Sequence, residues 1–273
     1  MTRVVPTFSY FRGVFMQPLA TRWLVLPLVY CASLPLLAAD KPLNDTGITT
    51  CVDVFNNRLS CPVSDYPNQD AEAGRDDLAA QSKLKKIGGG HAGFDFSKIA
   101  NDGSVLPAYA RFGSGAKDWA CTRDNVTGLL WEIKTNDGGL RDQDSTFSWY
   151  NPNKKTNGGN AGYQNQGNCT GGIACNTYAY AQAVNKHGLC GKKDWRLPSL
   201  DELDSLINYD FYSPAIDRDY FPDLPDLTLY TTSFWSSPSE AADYAWAVNF
   251  KGGSDSYEFK GSSQLIRLVR AGQ

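Results

Sequence analysis

Few residues in this chain are equipped for chemistry, and their types limit what that chemistry is. The 273 residues contain only two histidines, His91 and His187. Hydrolysis by a nucleophile and a base would need one of them. His187 stands just before Gly188, where a helix-terminal His meets the last carbonyls and the negative end of the dipole. His91 follows Gly88-Gly89-Gly90. That run has no strand before it and no Gly-Lys-Ser/Thr after it, so it reads as a flexible turn and not a phosphate loop. Glycosidase work would need two facing carboxylates. Glu132 and Glu202 are available, but Glu202 lies three residues after Ser199, in the place of a capping-box partner. Asp137, Asp142 and Asp144 share a Gly-containing loop with Asn136. Their oxygens would suit a hard cation such as calcium, although the spacing is not that of an EF-hand. No other cofactor is expected.

Flat aromatic faces are the remaining chemistry. Trp149 and Tyr150 lie in a polar loop, Tyr163 lies in the same region, and Trp235 lies in the later run Phe234–Ser237. Exposed rings of this kind suit sugars and protein partners alike. The four are therefore the candidate contact residues. Trp131, Trp195 and Trp246 fall in strand-like alternation and are expected in the core.

Six cysteines follow Cys31: Cys51, Cys61, Cys121, Cys169, Cys175 and Cys190. Six allow 15 pairings. Proximity favours Cys51 with Cys61 and Cys169 with Cys175, which leaves Cys121 with Cys190. No C-x-x-C pair accompanies the two histidines, so zinc is not expected.

The elements that must position these residues centre on Asp194 to Leu203. Trp195 and Leu197 alternate with Asp194 and Arg196 as in a half-buried strand, and Pro198 stops it. Ser199 with Glu202 then starts a helix carrying Leu200, Leu203, Leu206 and Ile207. A helix before it is capped by Asn176 or Thr177 and ends near Lys186, with Tyr178, Ala181 and Val184 inward and Gly188 as its stop. Thr127 to Ile133 reads as a strand, with Leu129 and Trp131 on one face. Four more strands are expected at Phe234–Ser237, Ala245–Phe250, Tyr257–Lys260 and Leu265–Val269. The Thr127–Ile133 strand and the last strand, Leu265–Val269, should pair, because neither is suited to a free edge. Upstream, Asp70 to Lys86 reads as one helix with Leu78, Leu84 and Ile87 as a thin stripe, followed by a strand at Phe94 and Phe96. The whole is α+β, with two helices packed on a small antiparallel sheet and long disulfide-stapled loops.

Composition sets the compartment. The formal charge is −3. Residues 1–39 hold Arg3, Arg12 and Arg22 and no acid, so the remainder is more acidic still. An acidic chain without a Lys/Arg run argues against nucleic acid. Arg22 closes a basic region, Trp23 to Ala39 is uncharged and apolar, and Ala38-Ala39 precedes Asp40. This is the pattern of a cleaved secretory signal peptide, leaving no stable membrane span; Met16 offers an alternative start. The expected division is leader 1–39, N-terminal extension 40–117 and a domain over 118–273.

The runs TGLLWE, VNKHGLCG, DWRLPSLDELDSL, FWSSPS, YAWAVNF and LIRLVR, in this order, resemble the Lcl C-terminal domain family. The resemblance spans about Trp119 to Arg270. It implies a C-type lectin-like fold, related to the formylglycine-generating enzymes, and an extracytoplasmic domain that in one case binds sulfated glycans. The oxidase chemistry of the formylglycine branch uses cysteines late in the domain, and none follows Cys190 here. The expectation is an exported, non-catalytic binding or adhesion module, in the periplasm, at the outer surface or secreted. It would recognise a glycan or an envelope or surface protein through the loop 136–168. The alternative is an exported enzyme acting on cell-wall or polysaccharide substrates.

Overall fold

The computed structural model describes residues 43–222, 224–225 and 233–272; the leader expected over 1–39 lies outside them. Two antiparallel sheets carry the fold. The first has the order β1-β2-β3-β7, from β1 (Phe96–Ala100), β2 (Trp119–Asp124), β3 (Leu129–Glu132) and β7 (Val269–Ala271). The second has the order β4-β5-β6, from β4 (Ser233–Ser239), β5 (Tyr244–Asn249) and β6 (Ser254–Phe259). Three short helices complete it: α1 (Gly74–Ala80), α2 (Thr177–His187) and α3 (Leu200–Asp204). The architecture is α+β, with two small sheets where one was expected.

All four residues of β3 are buried, because a core lies on each side of it. Leu129 and Trp131 enter a cluster with Phe96, Phe221, Phe234 and Phe250. Leu130 enters a second cluster with Phe147, Trp149, Tyr180, Trp195 and Trp235. The first and last strands do meet, with Leu129 opposite Ala271 and Trp131 opposite Val269, but the last strand is Val269–Ala271 and shares only Val269 with the expected Leu265–Val269. The Trp195–Leu197 strand is reduced to one bridge, Arg196 with Val269. Both arms of the Ser199–Glu202 capping box are made. Arg196 adds a two-pronged ion pair to Glu202 at 2.7 and 2.6 Å. Burial raises the Glu202 pKa, but the bonds from Arg196 and Ser199 outweigh it and hold the carboxyl below its usual range.

The described part of the expected N-terminal extension, residues 43–117, is not a separate piece from the domain over 118–273. Residues 40–273 make one compact unit. β1 pairs along β2, Tyr209 N donates to Thr46 O at 2.9 Å, and Asn44 Nδ2 donates to Ser205 O at 2.9 Å. The expected helix over 70–86 shrinks to a 3-10 turn at Asp70–Glu72 and the seven residues of α1. Its stripe does not face inward: Leu78 and Ile87 are exposed, and Ala71 and Asp76 are the buried positions. The glycine run is packed, not flexible. A Cβ on Gly88 would lie 1.9 Å from Phe96 O, so only glycine lets this segment lie against β1. The disulfides are Cys51–Cys61, Cys121–Cys190 and Cys169–Cys175, the pairing that proximity favoured.

Candidate functional site

Burial corrects two of the four candidate rings at once. Trp149 is 1% exposed. Its Nε1 donates to Ser236 O at 3.0 Å, and the Lys260 ammonium sits 4.5 Å from its ring centre. Trp235 is fully buried and donates to Phe147 O at 2.7 Å. Their faces are core surface, because loop and sheet supply carbonyls for the indole N–H groups and apolar neighbours for the rings. Trp246, expected in the core, is only half-buried and packs edge-on to Tyr257.

Tyr150 and Tyr163 are half-buried and part company. Tyr163 packs on Phe259 at 5.2 Å. Tyr150 faces α2. Its N–H donates to Thr177 Oγ1 and its carbonyl accepts from that hydroxyl, both at 2.9 Å. This reciprocal pair fixes the loop to the first turn of the helix. The helix is itself set by Asn176, whose Oδ1 accepts from Ala179 N at 2.8 Å. Tyr178, expected inward, is 46% exposed, and Tyr180 is the buried residue of that turn. The reason is Tyr180's hydroxyl. It donates to Glu132 Oε1 and accepts from Lys134 Nζ, inside the core. Burial pulls Lys134 down to about 8, against the opposing pull of Glu132.

Tyr178 and Tyr150 meet edge to face, with ring centres 6.3 Å apart. Between them and the Trp195–Leu197 segment lies a groove of about 210 Å³. Its apolar lining is Ala181, Leu197 and parts of Trp149 and Trp195; Asn151, Gln182, Arg196 and Ser237 supply polar atoms. Asn185 holds the far wall, accepting from Trp195 N at 2.7 Å and donating to Trp195 O at 2.8 Å. No Asp, Glu, His or Cys lines this groove. Tyr178 was not among the candidate rings because helical spacing alone did not tell which of Tyr178 and Tyr180 turns inward.

The loop acids bind their own loop. Asp142 accepts from the N–H groups of Asp137, Gly138 and Asp144, and Asp137 accepts from Thr135 Oγ1 and Gly139 N. They do not converge. Among the described residues, the group of carboxylates close enough to share a cation is Asp45, Asp70 and Asp76. There Asp76 accepts from Gly47 N and Gly93 N, and Asp45 from Arg75 N and Asp76 N. Glu132 is fully buried and accepts from Leu268 N at 2.9 Å, so it faces no cleft with Glu202. His187 is exposed beside a small hollow containing Asp137 and Arg141. His91 lies 3.0 Å from Asp210, on a cleft of about 430 Å³ that also holds Lys98, Asp217 and Tyr220.

Fold and groove define a disulfide-stapled, two-sheet α+β domain with an aromatic-walled recess lined by no carboxylate, imidazole or thiol. Residues 120–270, more than half the chain, match the Lcl C-terminal domain. The chain belongs to the Lcl C-terminal domain family. No curated protein matches it.

Proposed function

We propose that this protein is a non-catalytic recognition module of the cell envelope, and that the groove between Tyr150 and Tyr178 takes a neutral glycan. The carrying observation is the lining: aromatic walls and amide, hydroxyl and guanidinium groups, with no carboxylate, imidazole or thiol among them. Such a recess can hold a ring by stacking and hydrogen bonds, but it lacks the acid–base pair that cleavage needs. A volume near 210 Å³ suits about one sugar ring. Arg196, the only base in the lining, is already paired with Glu202, which favours a neutral over an anionic sugar.

The same reading makes residues 1–39 a cleaved secretory leader. Three disulfides fit an oxidising compartment outside the cytoplasm. Among the described residues no helix is long and apolar enough to cross a membrane. A C-type lectin-like topology is supported by the β3–β7 closure and the long segment stapled by Cys121–Cys190.

A glycan array followed by titration calorimetry tests the proposal. Tyr150→Ala and Tyr178→Ala should each weaken a neutral-glycan hit about tenfold, the worth of roughly one aromatic contact. Silence across neutral glycans, or binding indifferent to both changes, would overturn it. The alternative of an exported cell-wall or polysaccharide enzyme rests on the His91 cleft, where His91, Lys98 and Asp217 converge. Turnover of such a substrate that is lost in His91→Ala would favour the enzyme.

A further inference from the structure

The outer strand of the second sheet has the features of a docking edge. Among the described residues, β6 pairs only with β5. Lys260 N donates to Asp243 O at 2.9 Å, which fixes the parity of the ladder. Ser256 and Glu258 turn their backbone groups to β5, and Asp255, Tyr257 and Phe259 turn their N–H groups to the open side. Sheet edges are commonly guarded by Lys, Pro or a bulge. β6 reads Ser-Asp-Ser-Tyr-Glu-Phe and pairs without a register shift, so it lacks Lys, Pro and a bulge, and its only charges are the acids Asp255 and Glu258.

The face beside that edge is aromatic. Tyr244 stands opposite Phe259 and Trp246 opposite Tyr257, which puts all four rings on one side, and Tyr163 joins them through Phe259. Tyr244, Tyr257 and Phe259 are 41, 59 and 39% exposed, an uncovered apolar patch of the kind that marks a contact surface. Its charge is acidic, from Asp255, Glu258 and Asp243. Of the nearby bases, Lys251 lies at the turn, and Lys260 is buried with its ammonium on three carbonyls.

We propose that β6 receives an extended peptide segment of a partner protein as a fourth strand of this sheet. The segment carries apolar or aromatic side chains at alternate positions, over Tyr257 and Phe259, and basic residues near Asp255 and Glu258. Main-chain bonds along the edge supply affinity and the alternate side chains supply choice. Charge selects this occupant over a second copy: pairing two β6 strands would gather both Asp255 and both Glu258 residues along one seam with no base from either strand. This proposal is independent of the groove.

Fluorescence anisotropy with the intact, oxidised chain tests it. The probes are an alternating Val/Thr peptide flanked by lysines, the same peptide flanked by glutamates, and the lysine form N-methylated at alternate amides. The lysine peptide should bind roughly tenfold tighter than the glutamate one, and N-methylation should abolish binding. Asp255→Pro removes one outward N–H, keeps all the rings and should weaken binding about tenfold. Asp255→Lys with Glu258→Lys leaves the backbone intact and should reverse the preference. The proposal falls if no peptide binds or if the N-methylated peptide binds equally well. It also falls if sedimentation shows self-association that Asp255→Pro removes, or if the aromatic face captures only a glycan.

Discussion

At Lys260 one ammonium meets the carbonyls of Asn157, Asn160 and Ala242, at 2.8, 2.9 and 2.6 Å, above the Trp149 ring. It ties the 151–163 loop to the second sheet and explains why Trp149 turns inward. Nothing in the local sequence announces this, because Lys260 lies 103 residues from Asn157. Lys260→Met should cost about 2–4 kcal/mol in chemical denaturation, since three buried carbonyls lose a charged donor. A second residue makes stability depend on pH. Burial, with Asp255 and Asp201 nearby, raises Asp204 to about 6. The folded state therefore holds this proton more tightly than the unfolded chain. Its favourable contribution is complete below pH 4 and is lost as the pH rises through about 6. Asp204→Asn should raise the melting temperature at pH 7, and the gain should shrink towards pH 4.

At the scale of elements, α2 sets the groove through its cap. Asn176→Ala should destabilise the chain by about 1 kcal/mol. It should also weaken the proposed glycan contact, because Thr177 and Tyr178 lose their anchored first turn; paired melting and calorimetry would show both. This cap was legible in the sequence, as were the Ser199–Glu202 box, the Gly188 stop and the β3–β7 pairing, because each rests on residues close together or on strong apolar alternation. The outward turn of Tyr178 was not legible. It depends on Tyr180 finding Glu132 and Lys134, partners at least 46 positions away. The aromatic face was half legible. Tyr244 and Trp246 alternate, as do Tyr257 and Phe259, but only the register of β5 against β6 puts the four rings on one side. The stripe proposed for 70–86 failed because the helix stopped after seven residues, with a buried aspartate where apolar side chains were expected.

At the scale of the whole molecule, the bridge between Cys121 and Cys190 spans 69 residues and joins β2 to the turn after α2. In the chain-entropy description a loop of that length is worth about 4 kcal/mol. Cys121→Ser with Cys190→Ser should lower stability by that order, read from the denaturation midpoint, and far more than loss of the short Cys169–Cys175 link affects the global transition. The same bridge encloses the loop from which the exposed residues Pro152 to Thr156 project. A trypsin-like cut after Lys154 or Lys155 would sever the backbone there and release nothing. The two pieces would migrate as one band until a reductant parts them, so an enzyme of the surroundings can nick this protein without detaching either half.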